Sequence, residues 1–341
     1  MRPSVLIIYT GGTIGMVERP EDGSLVPINF DELSKEIPSL ENFGYEISSI
    51  SFQPVIDSSN ITPSFWYLLA NTIAEEYEAY DGFVILHGTD TMAYTASILS
   101  FMLENLNKPV ILTGSQLPIG KLRTDGKENL LSAVEIAAAK KDGKAIVPEV
   151  CIYFDTKLYR GNRTSKIDSQ QFRAFDSKNY PPLAKAGVEI TYTHEFINHP
   201  SNHGILRVNS NLNPHVVILK IFPGISKEIV KSILEVDGLK GVVLESFGSG
   251  NVPDFPWFAK LMAEATKKGI IIVNVSQCAG GKVQMGLYKT SIEIQKAGVI
   301  SGYDMTSEAA VTKLMYLLGQ GLSYAEIKNY MVQNLKGEIT I

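Results

Sequence analysis

The sequence is poor in the residues on which several kinds of chemistry depend. It has two cysteines and five histidines in 341 residues. Cys151 and Cys278 are far apart, no Cys-x-x-Cys pair occurs, and no disulfide framework can be read from them. Both stand in apolar, strand-like contexts and are expected to be reduced core residues. No His-Glu-x-x-His run exists, and His199 and His203 fall in a polar, non-helical stretch, so no metal site is expected. The Gly-x-Ser-x-Gly nucleophile elbow is missing, as is the Gly-Lys-Ser/Thr end of a phosphate-binding P-loop. No basic block stands out and the net charge is −5, which argues against a nucleic-acid partner. No apolar run approaches the length of a membrane span. Met1-Arg2-Pro3-Ser4 leads straight into an apolar strand, with no room for a signal peptide. Together these features predict a cytoplasmic protein.

What is present is an ordinary globular composition, 45% hydrophobic and 20% charged. A chain of 341 residues is too long for one comfortable core and is expected to form two domains. Apolar runs at Val5–Ile8, Gly82–Leu86, Pro109–Leu112 and Val150–Phe154 read as buried strands, and Glu46–Phe52 alternates at period two. Helical patterns lie between them, over 62–80, 92–103 and 125–140. Strand–helix alternation predicts an α/β fold with a parallel sheet. The rhythm lapses at 192–213, where histidine, asparagine and proline collect. The expected organisation is therefore a larger N-terminal parallel-sheet domain over 1–191, a linker over 192–213 and a smaller C-terminal α/β domain over 214–341. In the latter, strands are expected at 215–221, 241–245 and 270–275, with helices at 226–236, 256–268, 306–318 and 323–334.

Four of the first-domain strands run into hydroxyl-rich segments. These are Thr10-Gly11-Gly12-Thr13-Ile14-Gly15, Asp57-Ser58-Ser59-Asn60, His87-Gly88-Thr89-Asp90-Thr91 and Thr113-Gly114-Ser115-Gln116. In an open parallel sheet, ligands bind beyond the carboxyl ends of the strands, so a common edge would gather them. Taken alone, the first loop either binds an anion or takes part in catalysis. A threonine hydroxyl is a weak nucleophile until a base takes its proton. Thr89-Asp90 sets a second hydroxyl beside a carboxylate, and Lys166, desolvated near Asp90, would be able to move a proton. Each has a plainer reading: Thr13 bonded to its own turn, Asp90 as a helix cap, Lys166 as a solvated loop lysine. His87 is expected to be hydrogen-bonded scaffolding in preference to a base.

The paired signatures Thr10–Gly15 and His87–Met92 make the chain similar to the asparaginase family of bacterial type. Thr113-Gly114-Ser115-Gln116 and Gly250-Asn251 fit the same pattern. Asp57-Ser58-Ser59, Tyr159-Arg160-Gly161-Asn162-Arg163 and Asp304-Met305-Thr306 resemble its cytoplasmic, type I branch. The resemblance runs nearly end to end. It implies hydrolysis of L-asparagine to L-aspartate and ammonia through a covalent acyl-enzyme, with no cofactor and no metal. It implies Thr13 as nucleophile, with Thr89, Asp90 and Lys166 assisting proton transfer and activating water. Asp57, Ser58 and Ser59 would grip the α-amino and α-carboxylate groups, with Asp90 also meeting the ammonium, and backbone N–H groups near Gly88 and Thr89 would stabilise the oxyanion. It further implies a small-molecule partner and a homodimer or homotetramer whose C-terminal domain would contribute to the site, while the composition argues against nucleic acid and membrane as partners. Asn251 and Tyr303 are auxiliary candidates.

The chain departs from the pattern where many members carry a tyrosine after the first threonine loop. Leu25 occupies that place, and Tyr303 is the expected substitute. Glu245 stands where a cation would serve a second, regulatory asparagine site, so that regulation is not expected. Two other functions are weighed: a transfer-RNA-linked amidotransferase subunit, disfavoured because only nine residues precede Thr10, and an amino-acid sensor without turnover, disfavoured by the joint presence of Thr13, Thr89, Asp90 and Lys166.

Overall fold

The structure, a computed structural model, describes residues 2–18, 25–27, 37–199 and 204–341. The chain forms two compact units, residues 1–210 and 211–341.

In the first unit the apolar runs become strands because a strand covered on both faces buries every side chain. β1 (Ser4–Tyr9) is buried from Val5 onward, and β3 (Gly82–Leu86) is buried throughout. β2 (Glu46–Ser51), β4 (Val110–Thr113) and β5 (Val150–Phe154) complete a parallel set in the order β2-β1-β3-β4-β5. α1 (Pro63–Glu75), α2 (Met92–Met102) and α3 (Gly126–Ala138) connect them. Thr62 and Pro63 open α1 as expected at N-cap and N1. The Thr62 hydroxyl, however, pairs with that of Ser64 (2.8 Å) and caps no backbone N–H. Ile7, Tyr9, Val84, Leu86, Ile111 and Val134 pack in one core against the sheet.

The sheet then changes direction. β6 (Lys157–Arg160), β7 (Ala184–Ala186) and β8 (Ile190–Tyr192) extend it antiparallel. From the sequence alone, the stretch after Phe154, with Tyr159-Arg160-Gly161-Asn162-Arg163-Thr164-Ser165-Lys166, reads as a long polar loop. The hairpin's two-residue turn, Asp155-Thr156, has φ +46° and +66° without a glycine, so the usual Asn-Gly or Asp-Gly signal was absent. Within 192–213, His194–Phe196 form a 3-10 turn and Arg207–Val208 pair with Leu103–Glu104, all inside the first unit. His203 lies outside the described residues.

After β1, Met16–Glu18 pairs antiparallel with Leu25–Pro27, setting the Leu25 backbone opposite Glu18. The polar segment 17–27, with Glu21-Asp22-Gly23, reads in the sequence as a turn or hairpin; its two strands pair in this way, and Glu21-Asp22-Gly23 lies outside the described residues.

The second unit is a four-stranded parallel sheet in sequence order: β9 (Val216–Lys220), β10 (Gly241–Ser246), β11 (Ile271–Ser276) and β12 (Ile300–Ser301). α4 (Lys227–Leu234), α5 (Pro256–Lys267), α6 (Lys289–Lys296), α7 (Ser307–Gly319) and α8 (Tyr324–Met331) pack about it. The α/β class with a larger and a smaller sheet is as expected. α6 and β12 had no counterpart in the sequence reading. α6 buries only Ser291 and Ile294, too little apolar surface to write a period. One thiol also differs: Cys151 is buried in β5, but Cys278, just past β11, is exposed.

Candidate active site

The first-unit strand ends do converge. Beyond β1 the chain turns through Gly11 and Gly12. Gly12 holds φ +92° and ψ 170°, a region open essentially to glycine alone. A Cβ there would lie 2.5 Å from the backbone nitrogen of Gly88. One on Gly11 would overlap the carbonyl of Ile56, and one on Gly88 would lie 2.5 Å from Ser58 Oγ. The loop after β1 therefore touches those after β2 and β3 backbone to backbone, while Gly88 packs on the Ser58 side chain, and only glycine permits it. Polar bonds lock them together. The N–H and Oγ1 of Thr10 both donate to the Leu86 carbonyl (3.0 and 2.8 Å). Ile56 N–H donates to the Thr10 carbonyl (2.9 Å), and Thr91 Oγ1 donates to the Ser58 carbonyl (2.7 Å). Beneath them Tyr9 donates its hydroxyl to the Gly15 carbonyl (3.0 Å). Burial pushes that phenol up to about 12, so it stays a donor.

Thr13 opens the 3-10 turn Thr13–Gly15, and its side chain is half-buried. Among the described residues its hydroxyl makes no hydrogen bond, so the plainer reading, a threonine bonded to its own turn, does not hold. Asp57 caps the turn Ser58–Asn60 by accepting from Ser59 N–H (2.9 Å). Ser58 is buried, whereas Asp57 and Ser59 are exposed.

Lys166 arrives from the far side of the unit. β6 ends in a buried 3-10 turn, Gly161–Arg163, packed on α2 so closely that a Cβ on Gly161 would lie 2.8 Å from Ala96 Cβ. Arg160 pairs with Glu149 (2.6 Å) in the interior, and the guanidinium carbons of Arg160 and Arg163 lie 4.3 and 5.1 Å from the centre of the Tyr180 ring. Ser165–Lys166 then pairs with Phe175–Asp176. So held, Lys166 Nζ reaches Thr89 Oγ1 at 2.8 Å and Asp90 Oδ1 at 2.6 Å. Lys166 keeps 17% of its side chain exposed and Asp90 68%. The amine is thus sheltered while the carboxylate faces solvent. Asp90 does not cap α2; that position is Thr91, which makes no side-chain cap bond.

His87 is the last residue before the Gly88 turn, and it is buried. Burial pushes its imidazole down to about 4, which leaves the ring neutral and excludes a role as charged partner. Sequence reasoning placed it as scaffold. It missed the buried Arg160–Glu149 pair, because two charges eleven positions apart give no local signal.

Asn251 and Tyr303 belong to the second unit. Asn251 bridges to Phe247 and has a buried Oδ1 without a partner among the described residues. Tyr303 sits at φ +52° and its carbonyl accepts from Val283 N–H (2.8 Å). Glu245 accepts from Ser307 Oγ (2.5 Å) and lies 3.7 Å from Lys220. Among the described residues no group of histidine, cysteine or acidic side chains could hold a metal ion, and no helix is long and apolar enough to cross a membrane.

The class is thus defined: an α/β protein with a hydroxyl–amine–carboxylate cluster on the carboxyl edge of a parallel sheet. Comparison with known proteins makes it specific. Residues 4–198 match the family described as Asparaginase, N-terminal, and residues 215–331 match the Glutaminase/Asparaginase C-terminal domain. The chain is 44% identical to L-asparaginase 1 of Escherichia coli, over 99% of this chain and 98% of that one. It is 43% identical to the mouse 60 kDa lysophospholipase, again over 99% of its own length but spanning only 62% of the mouse protein. Its fold superposes on the crystal structure of L-asparaginase I from Vibrio cholerae with a TM-score of 0.89 and 43% identity, covering 100% of both chains. The chain belongs to the asparaginase family.

Proposed function

We propose that the protein hydrolyses the side-chain amide of L-asparagine, giving L-aspartate and ammonia through a threonine acyl-enzyme. Thr13 Oγ1 attacks the amide carbon, the C–N bond breaks, and ammonia leaves with the proton that Thr13 gave up. Water then attacks the ester, releasing aspartate and restoring the hydroxyl. Thr89, Asp90 and Lys166 assist proton transfer and activate the water. Asp57, Ser58 and Ser59 hold the substrate's α-amino and α-carboxylate groups, and the solvent-facing Asp90 carboxylate also meets the ammonium. The N–H groups of Gly88 and Thr89 donate to no protein acceptor among the described residues and serve the developing oxyanion. No cofactor enters these steps.

The observation that carries this reading is Lys166 Nζ within hydrogen-bond reach of both Thr89 Oγ1 and Asp90 Oδ1, a base–orienter arrangement made without histidine. The test is ammonia release from L-asparagine by the native protein and by Thr13→Ala and Thr89→Val. Each variant is expected to lose about 10³-fold or more in kcat; full activity in either removes that residue from the mechanism. Binding of asparagine with no ammonia over hours would favour a sensor instead.

The same reading makes the protein a cytoplasmic homodimer or homotetramer to which Asn251 and Tyr303 contribute as auxiliary groups. Light scattering should return two or four times the chain mass, and a monomer active at all concentrations would refute the oligomer.

A further inference from the structure

We infer that His87 is a positioning residue whose imidazole clamps the Gly88 carbonyl and so aims the Thr89 N–H at the oxygen that becomes negative during acyl transfer. This rests on the proposed amide hydrolysis and adds a residue to it. His87 Nδ1 lies 2.7 Å from the Gly88 carbonyl oxygen. A carbonyl only accepts, so Nδ1 carries the proton and donates, which fixes the tautomer. In a trans peptide the C=O and the following N–H are coplanar and point in opposite directions. Holding the Gly88 oxygen therefore sets the direction of the Thr89 N–H, opposite to the clamped carbonyl and away from the ring.

The remaining freedom of this peptide is small. His87 N–H is the last rung of the sheet here, donating to the Thr113 carbonyl (2.9 Å). Gly88 is wedged between Gly12 and Ser58. The Phe65 ring stands edge-on to the imidazole, 6.4 Å between centroids at 74°. His87 Nε2 is buried and has no partner among the described residues. A buried ring nitrogen left without a bond is a cost, and a side chain kept solely for packing would avoid it. The cost is consistent with a selected role for the other nitrogen.

Two isosteres separate the two nitrogens. His87→Asn can place an amide N–H near the position of Nδ1, whereas His87→Gln reaches that of Nε2 and leaves the Gly88 oxygen unclamped. Because the oxyanion exists only in the transition state, misaiming its donor lowers kcat and leaves KM alone. Small misplacements at such a site cost on the order of 10²-fold. The expected result with L-asparagine is a kcat drop of about tenfold to 10²-fold for His87→Gln with KM within about threefold, and near-native kcat for His87→Asn. Equal kcat in the two folded variants, or a change in KM alone, overturns the inference while leaving the proposed function standing. An inactive native protein overturns both. Should either variant fail to fold, 15N spectra of the native protein decide: the ring that does not titrate above pH 5 should show a protonated Nδ1 and a bare Nε2, and the opposite tautomer refutes the clamp.

Discussion

At the scale of single residues, the chemistry of this chain follows from which side chains are sheltered and which are not. Lys166 and Asp90 are bonded yet differ greatly in exposure, so one end of the pair faces the interior and the other the solvent. His87 carries the clearest consequence for stability. Its folded pKa, about 4, lies below the ordinary value of 6.5 because burial disfavours the charged ring. Between those values the unfolded chain holds the proton and the folded one does not. This contribution is therefore complete above about pH 6.5 and is lost as pH falls towards 4, amounting to up to roughly 3 kcal/mol. The melting temperature should drop over that window, and the drop should shrink in His87→Asn. An unchanged pH profile in that variant would show that other groups cause the acid sensitivity. The sequence identified the residue types at this site, since hydroxyls, Asp90 and Lys166 stood out by elimination of metal and histidine chemistry. It could not show that His87 is neutral, because neutrality comes from packing by residues remote in the chain.

At the scale of elements, loops that follow parallel strands are brought together by contact between backbones. Gly12 is the test. Its φ and ψ are accessible to little but glycine, and any Cβ would strike Gly88. Gly12→Ala should destabilise the protein by about 1–3 kcal/mol and abolish most activity by pushing Thr13 and Thr89 apart. An active, equally stable variant, measured by urea unfolding and ammonia release, would mean that the loops do not depend on this contact. The strands of the parallel set were legible because each is an unbroken apolar run or a clean alternation. The short antiparallel strands were not, because β6 begins at a glycine-free turn and β7 and β8 are only three residues long. α6 escaped notice because its buried face is two residues wide.

At the scale of the whole molecule, each unit has a core of its own, and the second also depends on a charge pair sealed inside it. Lys313 on α7 and Glu338 near the carboxyl terminus are 2.6 Å apart with both side chains fully buried. Burial pushes the Lys313 amine down while the Glu338 carboxylate holds it up. Lys313 also donates to the Met331 and Gln333 carbonyls, and Glu338 accepts from the N–H groups of Leu335 and Lys336. Glu338→Ala would strand a buried cation and is expected to cost about 3–5 kcal/mol. Lys313→Met combined with Glu338→Leu should recover part of that loss by removing the stranded charge. A loss below about 1 kcal/mol in the single variant, read from the urea midpoint, would show that water reaches the pair.

The sequence by itself determined the α/β class, the places of the main strands along the chain and the polar residues that follow them, because these depend on apolar periodicity and turn chemistry over a few neighbouring positions. Only the tertiary structure decided which of those residues meet. Lys166 contacts Asp90 across 76 positions of chain. That meeting depends on a strand order of β2-β1-β3-β4-β5, a reversal at β6 and a buried arginine–glutamate pair. None of these is encoded in local propensity, since each is the outcome of many distant groups being buried at once.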